Sequence, residues 1–273
     1  MAETSTKLGD QVIIVTGGNK GIGLGIAERL VHDGARVVIT GRDRQAGERA
    51  EAQMRAAGAK LAAPGDDDEP AGKERCRFIA ADNADPQQTR DVVASTLRHY
   101  GRIDGLVNNV ATMKRETILT TEPEFLRKVL DINLVGAVEY ARQVLLHMLD
   151  HGSGQIVTIG STHAWSGLAD LFPYSLSKGA LLTLTHHIAR NYARQGIRAN
   201  WITVGWIITP GEVEVWRREE KDRSWIEEKA REVVPLGRLQ TPEEIGAAVA
   251  FLFSPDALQI TDTELDVTGG LRV

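Results

Sequence analysis

The sequence predicts an α/β protein, a doubly wound parallel sheet of about seven strands with helices on both faces. Three observations predict it. Short β-branched runs alternate with amphipathic helical stretches along almost the whole chain. The runs are nearly continuously apolar, as strands covered on both faces must be. A glycine-rich turn joins the first run to the first helical stretch, and right-handed crossovers then wind the sheet.

Val12-Ile-Ile-Val-Thr16 reads as a buried strand and residues 21–32 as the first helix. Arg36-Val-Val-Ile-Thr40 is the second strand, and the Ala/Glu/Arg-rich segment 43–57 is built from strong helix formers. Further strands are expected at 77–81, 105–108, 155–159, 198–203 and 263–267, with helices near 86–99, 122–149, 173–194 and 242–253. No internal repeat stands out. Two segments break the rhythm. Residues 59–74, with Pro64-Gly65 and Asp66-Asp-Asp-Glu69, read as a surface loop insertion, favoured over a metal site because adjacent carboxylates rarely form a cage. Residues 210–235 read as mobile helices suited to a substrate lid, with a plain surface helical pair as the alternative.

The 273 residues are expected to form a single domain over 1–273. A hydrophobic share of 42% and a charged share of 25% place the chain among ordinary soluble proteins. Its net charge of -5 argues against a general nucleic-acid binder. No apolar run approaches the roughly 18 residues of a membrane span, and residues 1–9 lack the apolar core of a signal peptide. A lone cysteine, Cys76, rules out an intrachain disulfide and fits a reducing compartment, so a cytoplasmic location is expected.

The chemistry is carried by Tyr174-Ser-Leu-Ser-Lys178, with Ser161 upstream. A Tyr and a Lys four apart share one helix face. An ammonium beside a phenol is expected to pull its pKa down from about 10, which makes Tyr174 a general acid or base. The glycine turn is the second signal. In Thr16-Gly17-Gly18-Asn19-Lys20-Gly21-Ile22-Gly23, the glycines let backbone N–H groups and a helix N-terminus approach a pyrophosphate. Asn19, Lys20 and Ile22 belong to that cradle. At the end of the second strand stands Arg42, which with Lys20 suits a ribose 2′-phosphate and favours NADP over NAD. Asp43 competes with that reading, or simply caps the next helix.

Taken in order, these motifs resemble the short-chain dehydrogenase/reductase family, whose fold is a Rossmann fold, over nearly the whole chain. The matching pieces are the Thr16 to Gly23 turn, Asp82, Asn108-Asn-Val-Ala111, Asn133 and Ser161. Tyr174, Lys178, Gly205-Trp-Ile-Ile-Thr209, Pro242-Glu-Glu-Ile245 and Gly269-Gly270 complete them. The resemblance implies that Tyr174 transfers the proton and Ser161 polarises the carbonyl. Lys178 would lower the Tyr174 pKa and bind the nicotinamide ribose, and Asn133 would hold a relay water. Asp82 with Asn83 would contact adenine, Asn109 the ribose region, and Ile207 with Thr209 the carboxamide. It further implies a homotetramer or homodimer built through helices 122–149 and 173–194.

The chain departs from the family pattern at Val110-Ala111, usually Ala-Gly, and at Val204, usually Pro; both are expected to reshape the nicotinamide pocket. Asp262 and Thr268 also depart, with subunit contacts as the expected consequence. The substrate wall is expected to include His163, Trp165, Leu171 and Trp206. His163 either binds a polar substrate group or packs. His147 and His151 have zinc-like spacing but no third ligand, so no metal is expected. The expected activity is NADP-dependent reduction of a ketone or oxidation of a secondary alcohol. The rivals are a non-catalytic dinucleotide-binding sensor or scaffold and a C=C (enoyl) reductase.

Overall fold

A computed structural model describes residues 7–9, 11–58, 74–165, 167–218 and 220–271. Among these residues seven strands are present: β1 (Val12–Val15), β2 (Arg36–Gly41), β3 (Cys76–Ala80), β4 (Gly105–Asn108), β5 (Gly154–Ile159), β6 (Ile197–Val204) and β7 (Glu264–Val267). They form one sheet in the order β3-β2-β1-β4-β5-β6-β7, and every pairing is parallel. The central register sets Ile13 against Val37 on one side and Gly105 on the other. Strand order reverses between β1 and β4, so a crevice opens above their carboxyl ends.

The helices are α1 (Gly21–His32), α2 (Arg44–Gly58), α3 (Pro86–Tyr100), α4 (Pro123–Leu130), α5 (Gly136–His151), α6 (Phe172–Tyr192), α7 (Pro210–Arg218), α8 (Arg223–Val233) and α9 (Pro242–Phe253). Period-two alternation divides the strand side chains between two cores. Ile13, Val15, Ile39 and Val107 pack with Ile26, Leu30, Val249 and Phe253 from α1 and α9. Ile14, Val38, Leu106 and Ile156 pack with Val92, Tyr140, Val144 and Ile188 from α3, α5 and α6. Each such side chain, removed wholly from water, stabilises the sheet by about 1.5–3 kcal/mol.

Helix starts follow local capping chemistry. Asp85 accepts from the backbone of Gln87 and Gln88 ahead of α3, and Gly101 ends that helix at φ 73. Thr241 and Glu244 form a capping box at α9.

The expected helix at 122–149 is present and runs without a break, with a π turn inside it. The turn Asp131–Val135 between α4 and α5 has π geometry, which inserts an extra residue and redirects Asn133 inward. Of the expected insertion at 59–74, residues 59–73 lie outside the described residues. Glu74 at its end pairs with Arg55 and with His99 at 2.9 Å. Asp262 has an intrachain role as well. Its carboxylate lies 2.5 Å from His186 Nδ1 and accepts from Arg190 Nε at 2.8 Å, tying α6 to the approach to β7. It holds this place at φ 60, a left-handed conformation tolerated by Asp better than by most residues.

Candidate active site

Ser161 follows β5 in extended backbone and accepts from the His163 backbone N–H at 3.2 Å, capping the short turn Thr162–Ala164. Pro173 sits in the first turn of α6 and places Tyr174 beside that strand end, where the phenol is buried and hydrogen-bonds the Ser161 side chain. Lys178 lies one turn further on the same face, its Nζ 5.6 Å from the Tyr174 ring centre and donating to the Ile159 carbonyl at 2.7 Å. The structure therefore brings Ser161, Tyr174 and Lys178 together at the carboxyl end of β5.

Asn133 is wholly buried behind them. Its Nδ2 donates to the Thr112 carbonyl at 3.0 Å and to Ser177 Oγ at 2.9 Å, while its Oδ1 accepts from the Thr112 N–H at 2.7 Å. Both amide protons are thus spent on protein partners. Through these bonds Asn133 locks the 110–116 loop to α6. Sequence reasoning missed Thr112 and Ser177. Ser177 Oγ donates to the Tyr174 carbonyl at 2.6 Å, a back-bonding reach that its position three residues after Tyr174 makes readable.

Burial pushes the Tyr174 phenol above its ordinary pKa, and the hydrogen bond with Ser161 opposes that only in part. Burial likewise pushes Lys178 down, to about 8. The Lys178 ammonium is turned to a carbonyl rather than to the phenol, so desolvation dominates both groups.

The glycine turn folds as a cradle. Gly17 and Gly21 have φ of 66 and 55, and a Cβ on Gly23 would stand 2.3 Å from the Gly17 carbonyl oxygen. Thr16 Oγ1 accepts from the backbone N–H groups of Asn109 and Val110 at 2.9 and 3.2 Å, joining β1 to β4. Asn109, expected at the ribose, uses its side chain to brace the turn, with Nδ2 donating to the Thr16 carbonyl at 2.8 Å. Val110 fills space beside Gly17, its Cγ2 3.0 Å from where a Cβ would be. Asn19 is buried against Gly41, whereas Lys20 and Arg42 are exposed. Asp43 caps α2 by accepting from Ala46 N at 3.0 Å, the alternative role expected of it. Arg42 Nη1 lies 3.8 Å from Asp82. Asn83 is buried, and its Nδ2 donates to the Ile132 carbonyl at 2.6 Å, bracing the π turn. A dinucleotide fits the open glycine backbone and exposed cations of this turn.

A family model described as enoyl-(acyl carrier protein) reductase matches residues 17–272. An uncharacterized oxidoreductase of Thermotoga maritima is 33% identical, over 96% of each chain. The chain belongs to the short-chain dehydrogenase/reductase family. Among solved structures, actinorhodin polyketide ketoreductase with NADPH is 30% identical at a TM-score of 0.86, covering 100% of this chain and 99% of the other. L-sorbose reductase from Gluconobacter frateurii, complexed with NADPH and L-sorbose, is 28% identical at a TM-score of 0.87, covering 96% and 97%. The sheet of this short-chain dehydrogenase/reductase is thus a Rossmann-type sheet, as expected.

The wall around Tyr174 in this family member is mixed. His163 packs edge-on to the Tyr174 ring, with centres 6.2 Å apart, and Trp165 is half-exposed and edge-on to Trp201. Leu171 is buried, and its backbone bridges to Glu116. Past β6, Ile207 is buried, and Thr209 approaches Gly21 and caps α7 by accepting from Glu212 N at 3.2 Å. Trp206 and Trp216 both donate their indole N–H to Glu212 Oε1, at 3.0 and 3.2 Å. This clasp, which the sequence did not announce, fastens α7 to the loop after β6. A cavity of about 750 Å³ lies under α7 and α8, lined by Val213, Trp216, Ile226 and Leu239 and not by Tyr174. Among the described residues no group of three or more His, Cys, Asp and Glu could hold a metal, and no helix is long and apolar enough to cross a membrane. His147 accepts from Ile103 N and His151 contacts the His147 carbonyl, so that pair is engaged locally.

Proposed function

We propose that this oxidoreductase transfers a hydride between NADP(H) and a ketone or secondary alcohol, with Tyr174 as the acid/base. The single observation that carries the reading is the Tyr174–Ser161 hydroxyl pair, buried at the carboxyl edge of the sheet on the same side as the glycine turn. Bound nicotinamide supplies or accepts the hydride. As negative charge grows on the carbonyl oxygen, two hydroxyl donors in a site of low dielectric stabilise it. Tyr174 then gives up its proton to that oxygen. A phenol held protonated by burial is well placed for the reductive direction. Lys178, brought by burial to about 8, is poised to exchange a proton near neutral pH. NADP is favoured by exposed Lys20 and Arg42 and by the engagement of Asp43 in capping. NADPH-bound structural relatives support the same choice.

Tyr174→Phe is the test, with turnover lost and NADPH binding kept. Unchanged turnover would defeat the mechanism, and NADPH binding with no turnover by the parent on any carbonyl would favour the sensor reading. The description of the matching family model keeps C=C reduction as a second reading. The close Tyr174–Lys178 spacing favours carbonyl chemistry, and an enone assay separates the two by which bond is reduced. Arg42→Ala should narrow the gap in kcat/KM between NADPH and NADH; equal efficiencies in the parent would sink the NADP preference. We further take residues 1–273 as one cytoplasmic domain, supported by the single sheet and the lone cysteine. A homotetramer or homodimer through α5 and α6 is supported by exposed Val138, Leu146 and Leu176, and sedimentation tests it.

A further inference from the structure

We infer that the cavity under α7 and α8 is a second binding site, for an aliphatic chain that ends in an anionic group. Its volume of about 750 Å³ falls within the roughly 300–1,000 Å³ typical of small-molecule sites. Ser161, Tyr174, Lys178 and the glycine turn do not line it, so the inference stands apart from the hydride-transfer reading. The walls are carbon. Val213 of α7, Ile226 and Ala230 of α8 and Leu239 beyond them supply aliphatic side chains, and Trp216 supplies one ring. The Trp216 N–H is already given to Glu212 at 3.2 Å, so that ring meets a ligand through carbon. These walls cannot replace the water a polar ligand would lose, whereas each methylene placed among them is stabilised.

The rim fixes the sign of the ligand's head. Arg217, Lys221, Arg223, Arg231 and Arg238 belong to the lining, and among the described lining residues Glu227 is the one acid. All four arginines are exposed, which puts their charge at the solvent side of the carbon walls. Glu227 lies 2.8 Å from Arg223 and 3.9 Å from Arg231, so one carboxylate serves two guanidinium groups. Arg217 and Arg238 pair with Glu214 and Glu244, which lie outside the lining, and Lys221 stands 4.4 Å over the Trp225 ring. Exposed pairs of this kind are weak, and a guanidinium has five N–H donors, so a ligand anion can share these cations without displacing a strong partner. A basic rim over apolar walls matches a negative head on an apolar tail, and it repels a cationic head on the same tail.

Calorimetric titration of the full chain with hexanoate, octanoate and decanoate, each kept below its micelle concentration, tests both walls and rim. One ligand should bind per chain, and affinity should rise about 10- to 15-fold with each added pair of methylenes, at about 0.8 kcal/mol per buried CH₂ and 1.4 kcal/mol per tenfold. Decyltrimethylammonium, with the same tail and the opposite charge, should bind about tenfold more weakly than decanoate or not at all. Decanoate should alter tryptophan emission in the parent and alter it less in Trp216→Phe. Val213→Glu, which sets a carboxylate on the wall, should abolish decanoate binding. Arg231→Glu, on the exposed side of α8, should weaken it about fivefold while keeping the parent Tm, which keeps the test readable if Val213→Glu folds poorly. The inference is overturned by any one of four results: no saturable decanoate binding, affinity indifferent to chain length, equal affinity for decyltrimethylammonium, or decanoate binding untouched in both Val213→Glu and Arg231→Glu.

Discussion

Gly23→Ala is the sharpest perturbation of the cofactor turn. A Cβ at this position would stand 2.3 Å from the Gly17 carbonyl oxygen, 2.6 Å from Asn109 Nδ2 and 2.8 Å from the Gly17 carbonyl carbon. Two of those atoms are backbone, so the turn itself must shift. Asn109 cannot yield freely either, because it also donates to the Thr16 carbonyl at 2.8 Å. Overpacking of this kind costs about 1–3 kcal/mol. If the displaced turn is the one that receives the pyrophosphate, NADPH affinity falls by about 5- to 150-fold, at about 1.4 kcal/mol per tenfold. Gly21 is the internal control. It has φ 55, yet a Cβ there meets nothing nearer than Thr209 at 3.8 Å. Gly21→Ala therefore carries only the backbone cost of about 1 kcal/mol, or roughly fivefold. Calorimetric titration with NADPH, alongside melting curves, ranks the two. Parent-like affinity and Tm in Gly23→Ala, or a larger loss in Gly21→Ala, would refute the reasoning.

Three further outcomes are expected. Lys178→Met should abolish turnover yet raise the neutral-pH Tm, since burial holds the Lys178 ammonium down to about 8 and removing that charge returns on the order of 1–3 kcal/mol. The parent's own stability should rise between about pH 8 and 10.5, where the unfolded chain binds the additional proton. Asp262→Asn keeps a side chain tolerant of φ 60 but loses the carboxylate. Burial opposes ionisation of Asp262, and the Arg190 and His186 hydrogen bonds outweigh it, leaving its pKa lowered. Its stabilisation is therefore complete above the unfolded value near 4 and fades as pH falls through the lower folded value. A screened contribution of about 1 kcal/mol predicts a Tm drop of about 2–4 °C at pH 7 that disappears in strong acid. Glu212→Leu leaves two indole N–H groups without their acceptor, so tryptophan emission should change and KM should rise more than kcat falls, while Glu212→Gln keeps an acceptor and stays nearer the parent; an unaltered spectrum and KM in Glu212→Leu would mean the clasp does not hold α7.

The strands and most helix ends were legible because local rules agree with the fold. Gly21–His32 and Pro242–Phe253 are where hydrophobic periodicity, Pro and capping residues place them. The helix at 122–149 was legible, but the π turn within it was not, because a π turn has no strong local signature. Its inward turn is stabilised from outside, by Asn83 and by the Thr112 backbone, neither of them near in sequence. The pairing of Tyr174 with Ser161 was readable from spacing and motif order, whereas the brace roles of Asn109 and Asn133 were not. Both amides looked like groups facing a ligand, and both turn out to satisfy backbone groups of a neighbouring loop.

By itself, the sequence determined the α/β alternation, the glycine turn and the presence of a phenol, a hydroxyl and an ammonium suited to hydride-transfer chemistry. These follow from residue type and near spacing, which act over a few residues. Only the tertiary structure decided the protonation balance of Tyr174 and Lys178, because the burial that moves both is made by distant segments closing over them. It alone also set His163 beside the reacting phenol and drew Trp206 and Trp216 onto one carboxylate. Desolvation and convergence are properties of the packed chain, and the Tyr174–Lys178 pair owes its chemistry to both.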